Sequence, residues 1–189
     1  MRELALHILD VVENSLAAGA TRIAIRVEED LAQDSLTITV EDNGRGMDQE
    51  TMGRAVDPFF STRATRRVGL GLPLLKAAAE RCNGWLRIES TPGQGTQVVA
   101  RFQHSHVDRA PLGNMAATLM GILLSDRLGD LRYVHTVNGR SFQLDTAEIR
   151  RELAGAPLSH PAVRSWLQEY LREGEASLWE SSARDMSGA

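Results

Sequence analysis

Asp10 and Asn14 stand four positions apart in the stretch Asp10-Val11-Val12-Glu13-Asn14-Ser15-Leu16-Ala17-Ala18-Gly19-Ala20. On a helix that spacing puts both side chains on one face, with His7 a turn earlier on the same side. An acid and an amide stacked this way can hold a water on one side and a Mg²⁺ ion on the other. Glu13 turns to a different face and reads as structural or solvent-facing. A second group, Glu41-Asp42-Asn43-Gly44-Arg45-Gly46-Met47, carries a carboxylate and two glycines at alternate positions. Glycines there let the backbone pass close to a flat ligand. The Asp42 carboxylate could accept a hydrogen bond from an exocyclic amino group, which adenine offers and guanine does not at that edge.

Further along, Asp57-Pro58-Phe59-Phe60-Ser61-Thr62-Arg63-Ala64-Thr65-Arg66-Arg67-Val68-Gly69-Leu70-Gly71-Leu72-Pro73-Leu74 sets hydroxyls and three arginines before glycines that open onto a helix. Backbone N–H groups at a helix start, with guanidiniums nearby, suit an anion. The fourth group, Pro92-Gly93-Gln94-Gly95-Thr96, could bring Thr96 to a base or its bridging water. Each group alone has an ordinary counterpart: acid and amide sharing a helix face, an Asp-Asn-Gly turn, a solvated basic loop, a hairpin turn.

The elements that must position these groups follow from period and punctuation. Leu4, Ile8, Val11, Val12 and Ser15 repeat at helical spacing over residues 3–18, with Gly19 as the stop. Arg22–Val27 and Leu36–Glu41 alternate as two antiparallel strands. Asp48, with Thr51 three residues on, is an N-cap for a short helix. Residues 57–71 show neither period and read as a long functional loop. Pro73 suits the first turn of a helix to Asn83, which Gly84 terminates. Trp85–Ser90 and Thr96–Phe102 make a second hairpin.

A new unit begins near residue 105. It holds a helix from about Leu112 to Leu124, a hairpin about Asn138-Gly139, a helix opening at Asp145-Thr146-Ala147-Glu148 and another from Pro161. The expected organisation is a nucleotide domain over 1–104, a small accessory α+β region over 105–174, and a polar, frayed tail over 175–189.

Composition narrows the classes. A formal net charge of -4 brings no general attraction to nucleic acid or anionic membrane. The single cysteine, Cys82, permits no internal disulfide and fits a reducing compartment. The apolar run Met115–Leu124 is too short to span a bilayer. The expected location is the cytoplasm. His104 and His106 alternate at a strand end without a third ligand at metal spacing.

Taken together and in this order, the four groups resemble the N, G1, F/G2 and G3 boxes of the Bergerat ATP-binding fold. That fold is shared by the GHKL superfamily of gyrases, heat-shock chaperones, histidine kinases and MutL-type mismatch-repair ATPases. Val12–Ala20 is similar to the mismatch-repair form of the first box, and Asp57–Leu74 to the nitrogen-sensor type of histidine kinase. The resemblance spans roughly residues 3–104. It implies a two-layer α/β (α+β) sandwich with a mixed, mostly antiparallel sheet, here with a small C-terminal extension, and ATP with Mg²⁺ as ligands.

Carried over residue by residue, the resemblance makes Asn14 the Mg²⁺ ligand and Asp10 the base that activates water, where ATPases of the superfamily place a glutamate. Asp42 would bind the adenine amino group, with Gly44, Gly46 and Met47 shaping the pocket and Thr96 completing it. Ser61, Thr62 and Arg63 would sit in a lid near the triphosphate, with Arg63 on the γ-phosphate. Gly69, Leu70, Gly71 and Leu72 would cradle the phosphates. Arg67 and Val68 replace the usual Gly-Thr ahead of Gly-Leu-Gly-Leu, and the lid is short. With six residues ahead of His7, any phospho-acceptor is expected on another chain. The whole chain also resembles stand-alone ATP-binding proteins of anaerobic bacteria, which implies a protein partner in an iron-only hydrogenase or related iron–sulfur oxidoreductase system. The expected activity is slow ATP hydrolysis coupled through the lid to that partner. Phosphate transfer in trans and nucleotide sensing without hydrolysis are the alternatives, and the Met115–Met120 segment leaves a homodimer open.

Overall fold

The computed structural model describes residues 3–57, 71–125, 127–153 and 157–180. Their apolar alternation resolves into one six-stranded sheet covered on one face by helices. In chain order the elements are α1 (Leu4–Ala17), β1 (Arg22–Asp30), β2 (Ser35–Asp42), α2 (Gln49–Arg54), α3 (Gly71–Arg81), β3 (Trp85–Thr91) and β4 (Gly95–Gln103). Then come α4 (Met115–Leu123), β5 (Asp130–Val137), β6 (Arg140–Asp145), α5 (Thr146–Glu152) and α6 (Pro161–Glu180). The strand order is β3-β4-β2-β1-β5-β6. All neighbours are antiparallel except β1 and β5, which run parallel with Ile25 opposite Tyr133. The expected α/β, Bergerat-type sandwich with a mostly antiparallel sheet is the fold observed.

Period-two burial sets the layers. Ile23, Ile25, Val27 and Glu29 of β1 are buried while Arg22, Arg26 and Glu28 are exposed. The same face collects Leu36, Ile38 and Val40 of β2, Val98, Ala100 and Phe102 of β4, and Leu131 and Tyr133 of β5. Helix α1 meets it with Leu4, Ile8, Val11 and Val12, each less than 4% exposed. Burying one such side chain contributes about 1.5–3 kcal/mol, so α1 is held by packing far more than by helix propensity. Cys82 packs in this core as a small hydrophobe.

Local signals act where they stand in the chain. Helix α1 ends in a Schellman pair, Gly19 N–H to Leu16 O and Ala20 N–H to Ser15 O, both 3.1 Å. The Asp48 carboxylate accepts the Thr51 N–H at 2.8 Å and caps α2. Asn138 and Gly139 both take positive φ, 48° and 83°, and close the β5–β6 hairpin.

Three expectations change. Helix α4 starts at Met115 rather than near Leu112, because Asn114 is its N-cap and accepts the Ala117 N–H at 2.9 Å. The boundary near residue 105 does not interrupt the sheet, since β5 extends it alongside β1. Residues 175–180, read as the start of a frayed tail, form the last turns of α6. Leu178 is buried there and Glu175 bonds to β5. Among the described residues no helix is long and apolar enough to cross a membrane.

Candidate functional site

The turn after β2 is built around the Asp42 carboxylate. Oδ1 accepts the Gly44 N–H at 2.8 Å and Oδ2 accepts the Ser15 hydroxyl at 2.6 Å. Ser15 lies one residue past Asn14 on buried α1, so α1 aims the carboxylate directly. A carboxylate oxygen has about two acceptor positions, so each Asp42 oxygen keeps capacity for a ligand donor. Asn43, by contrast, is structural: its Oδ1 accepts the Thr21 and Arg22 N–H groups at 2.9 and 2.8 Å.

The next turn closes against the β3–β4 hairpin. Arg45 N–H bonds Ala18 O at 3.0 Å, and Gly93 N–H bonds Arg45 O at 2.8 Å. Gly46 has φ +67°, and a Cβ there would lie 2.1 Å from Thr91 O. Only glycine permits that backbone approach. Met47 N–H donates to Ser90 Oγ at 2.8 Å. Ser90 Oγ in turn donates to Gly95 O at 2.9 Å and lies 2.9 Å from Thr96 Oγ1. Thr96 sits opposite Asp42 in the β2–β4 register. Asp42, Ser90, Gly95 and Thr96 together line an open cleft at this end of the sheet.

At the other end of the site, α3 begins against α1. A Cβ on Gly71 would lie 3.2 Å from Asp10 Cβ, 3.6 Å from Asp10 Oδ2 and 3.7 Å from Asn14 Nδ2. Both half-buried polar side chains of α1 therefore face the N-terminus of an eleven-residue helix, where backbone N–H groups and the helix dipole favour an anion. Leu72 packs against the core beside this start. His7 shares the α1 sequence but is 3% exposed, and burial holds its pKa down at about 4. It is neutral at pH 7 and adds no charge for a phosphate.

The structure thus brings together Asp10, Asn14 and Gly71 at one end, and Asp42, Gly44, Gly46, Met47 and Thr96 at the other. Ser61, Thr62, Arg63, Gly69 and Leu70 lie outside the described residues. Ser15, Ser90 and Gly95 were missed by sequence reasoning. Ser15 carried a signal, a hydroxyl beside Asn14 on a helix. Ser90 carried none, because only the β3–β4 register sets it against Thr96.

Comparison with known proteins gives the family of the chain. The profile of the histidine kinase-, DNA gyrase B- and HSP90-like ATPases matches residues 2–106. The chain belongs to this family. It carries the family's ATP-binding domain, and all the site residues above fall within the matched span. It is 42% identical over 89 residues to the sensor protein kinase FleS of Pseudomonas aeruginosa, covering 47% of this chain and 22% of that protein. It is 32% identical over 95 residues to the sensor histidine kinase CpxA of Escherichia coli, covering 48% of this chain and 20% of that protein. The chain therefore spans about a fifth of the length of these relatives. Among solved structures, the N-terminal domain of a DNA repair protein superposes with a TM-score of 0.53 at 16% identity, covering 77% of this chain and 53% of that one. That likeness concerns the fold alone.

Proposed function

We propose that this chain is a Mg²⁺-dependent ATP-binding protein that hydrolyses ATP slowly and passes the change to a protein partner. The observation that carries the reading is the convergence of Asp10 and Asn14 on Gly71 at the start of α3. Asp42 and Thr96 supply a second polar end. The donor set fits the metal: a carboxylate and an amide oxygen are hard ligands, and Mg²⁺ takes few protein ligands beside phosphate and water. Asn14 would hold the ion, with Asp10 near enough to orient one of its waters. The ion would neutralise charge on the β- and γ-phosphate oxygens.

This chain's own residues would do the rest. Asp42 would accept a hydrogen bond from the adenine amino group, and the N–H groups at the start of α3 would donate to phosphate oxygens. Asp10 accepts a proton from the water that attacks the γ-phosphorus; the P–O bond to the β-phosphate breaks, leaving ADP and inorganic phosphate. Aspartate is a methylene shorter than glutamate, which suits slow turnover.

A second reading, transfer of the γ-phosphate to a partner, is favoured by the kinases among the relatives. Incubation of the protein with Mg²⁺ and γ-labelled ATP, alone and with candidate partners, separates the two. Free phosphate that requires Mg²⁺ is the expected result. Label on a partner without free phosphate would replace hydrolysis by transfer. Tight ATP binding with neither product would leave a nucleotide sensor.

The Asp42 role has its own measurement. A hydrogen bond to a charged acceptor is worth about 1.5–3 kcal/mol. Asp42→Ala should therefore raise the Kd for ATP by roughly 10–150-fold in calorimetric titration. An unchanged Kd in a folded variant would remove Asp42 from the adenine.

A further inference from the structure

On the buried face of the sheet, at the end remote from Asp42, five polar side chains form one continuous chain. His135 of β5 is 1% exposed. Its Nδ1 lies 2.9 Å from Glu175 Oε2 on α6, and its Nε2 lies 3.1 Å from Glu29 Oε1 on β1. The outer oxygens are also taken. Glu175 Oε1 accepts the Tyr133 hydroxyl at 2.7 Å, and Glu29 Oε2 lies 2.6 Å from His104 Nε2 just past β4. The family profile ends at residue 106. Glu29 and His104 thus belong to the ATPase domain, while Tyr133, His135 and Glu175 belong to the C-terminal extension.

A neutral imidazole has one N–H and one lone pair. Two carboxylates facing both ring nitrogens are satisfied only when both nitrogens carry hydrogen. We propose that α6 is held on the ATPase domain by a clamp whose central element is a single proton on His135, so that docking of the C-terminal helix is linked to proton binding. Losing that proton leaves a lone pair facing a carboxylate, with the buried Glu29 and the partly buried Glu175 no longer bridged by a cation, an arrangement that costs free energy where water is largely excluded.

The elements packed around His135 bring both favourable and opposing groups, and the two carboxylates prevail. Burial alone would lower its pKa, but hydrogen bonds to Glu175 and Glu29, and their charge, outweigh burial and hold it at about 9. Glu29, which burial would push up, is held below its usual value by hydrogen bonds from His135 and His104. Tyr133 is pushed far above the usual phenol range by burial and by Glu175, so it keeps its proton through the alkaline window. Arg140 adds a fixed positive charge on the same face of β6 as Phe142 and Leu144. His135 is thus the group whose upward shift the two flanking carboxylates produce. Its folded value lies above the ordinary value of 6.5, so its contribution is complete below pH 6.5 and fades as pH rises through about 9.

Two of the three tryptophans, Trp166 and Trp179, sit exposed on α6 and report on its docking. In a Trp85→Phe background, their emission and the rate of proteolytic cutting within 161–180 are followed from pH 6 to 10, beside the ring-nitrogen NMR signals of His135. The expected result is both ring nitrogens protonated at pH 7.5, and cutting that rises at least tenfold by pH 10 with a midpoint near 9. Glu175→Gln should move that midpoint down by a pH unit or more. His135→Gln should give fast cutting at every pH. A His135 that titrates at or below 6.5 overturns the proposal, as does cutting that stays flat to pH 10. The wild-type titration and Glu175→Gln decide the matter even where His135→Gln does not fold.

Discussion

Asp10→Asn is expected to cut Mg²⁺-dependent phosphate release by about 10²–10⁴-fold, the usual worth of a positioned base, while ATP binding is retained. The substitution keeps the shape of the side chain and leaves the α1 face opposite Gly71 undisturbed. What changes is that an amide cannot accept a proton from the attacking water. On the proposed reading binding survives, because Asp42 and Thr96 would hold the base at the other end of the site and the isosteric amide keeps the contact with Gly71 at the start of α3. Single-turnover phosphate release, beside calorimetric ATP affinity, gives the two quantities. Unchanged release would take Asp10 out of the base role and leave it at most orienting water. Loss of binding together with release would mean that its part lies in holding the nucleotide or the metal.

Gly95→Ala is the expected structural counterpart, with a loss of stability of about 3 kcal/mol or more. Gly95 has φ +115°, a region that side-chain-bearing residues rarely adopt. A Cβ there would lie 1.9 Å from Asp42 O and 2.9 Å from Asn43 Cα. Those are backbone atoms, pinned by the β2–β4 pairing and by Asn43 on Thr21 and Arg22, so neither can move aside cheaply. For a chain of this size the drop in Tm should be roughly 6–12 °C in thermal denaturation. ATP affinity should fall with it, because Asp42 would be displaced. Gly93→Ala is the internal comparison. Its φ is +77° but nothing lies within 4 Å of the added atom, so only the local strain, about 1 kcal/mol, applies. Equal losses at the two positions would show that the close approach at Gly95 is not what matters.

Asp10, Asn14 and Asp42 could be picked from the chain because the spacings that place them are local. Asp10 and Asn14 share a helix face through a spacing that any α-helix enforces, and Asp42 follows directly on an alternating strand. Caps were legible for the same reason: Asp48 bonds Thr51 as its position foretold, and Asn138-Gly139 closes its hairpin. Of the two failures, one was local in cause and the other was not. Leu112 has the right period for α4, but Asn114 competes as a cap and wins. Glu175 read as the start of a polar tail because its partners lie elsewhere in the chain, Tyr133 and His135 being 42 and 40 residues away.

By itself the sequence determined the elements and the chemical types at each site position, since periodicity, caps and turns act over a few residues through backbone geometry. Only the tertiary structure decided which elements meet. It set β5 parallel to β1, turned Ser15 onto Asp42, placed Ser90 beneath Thr96, and enclosed His135 between Glu29 and Glu175. Those pairings are driven by burial of apolar surface, which is non-directional and leaves little trace in sequence spacing. The polar groups carried inward with that surface must then find partners among whatever the packing brings near.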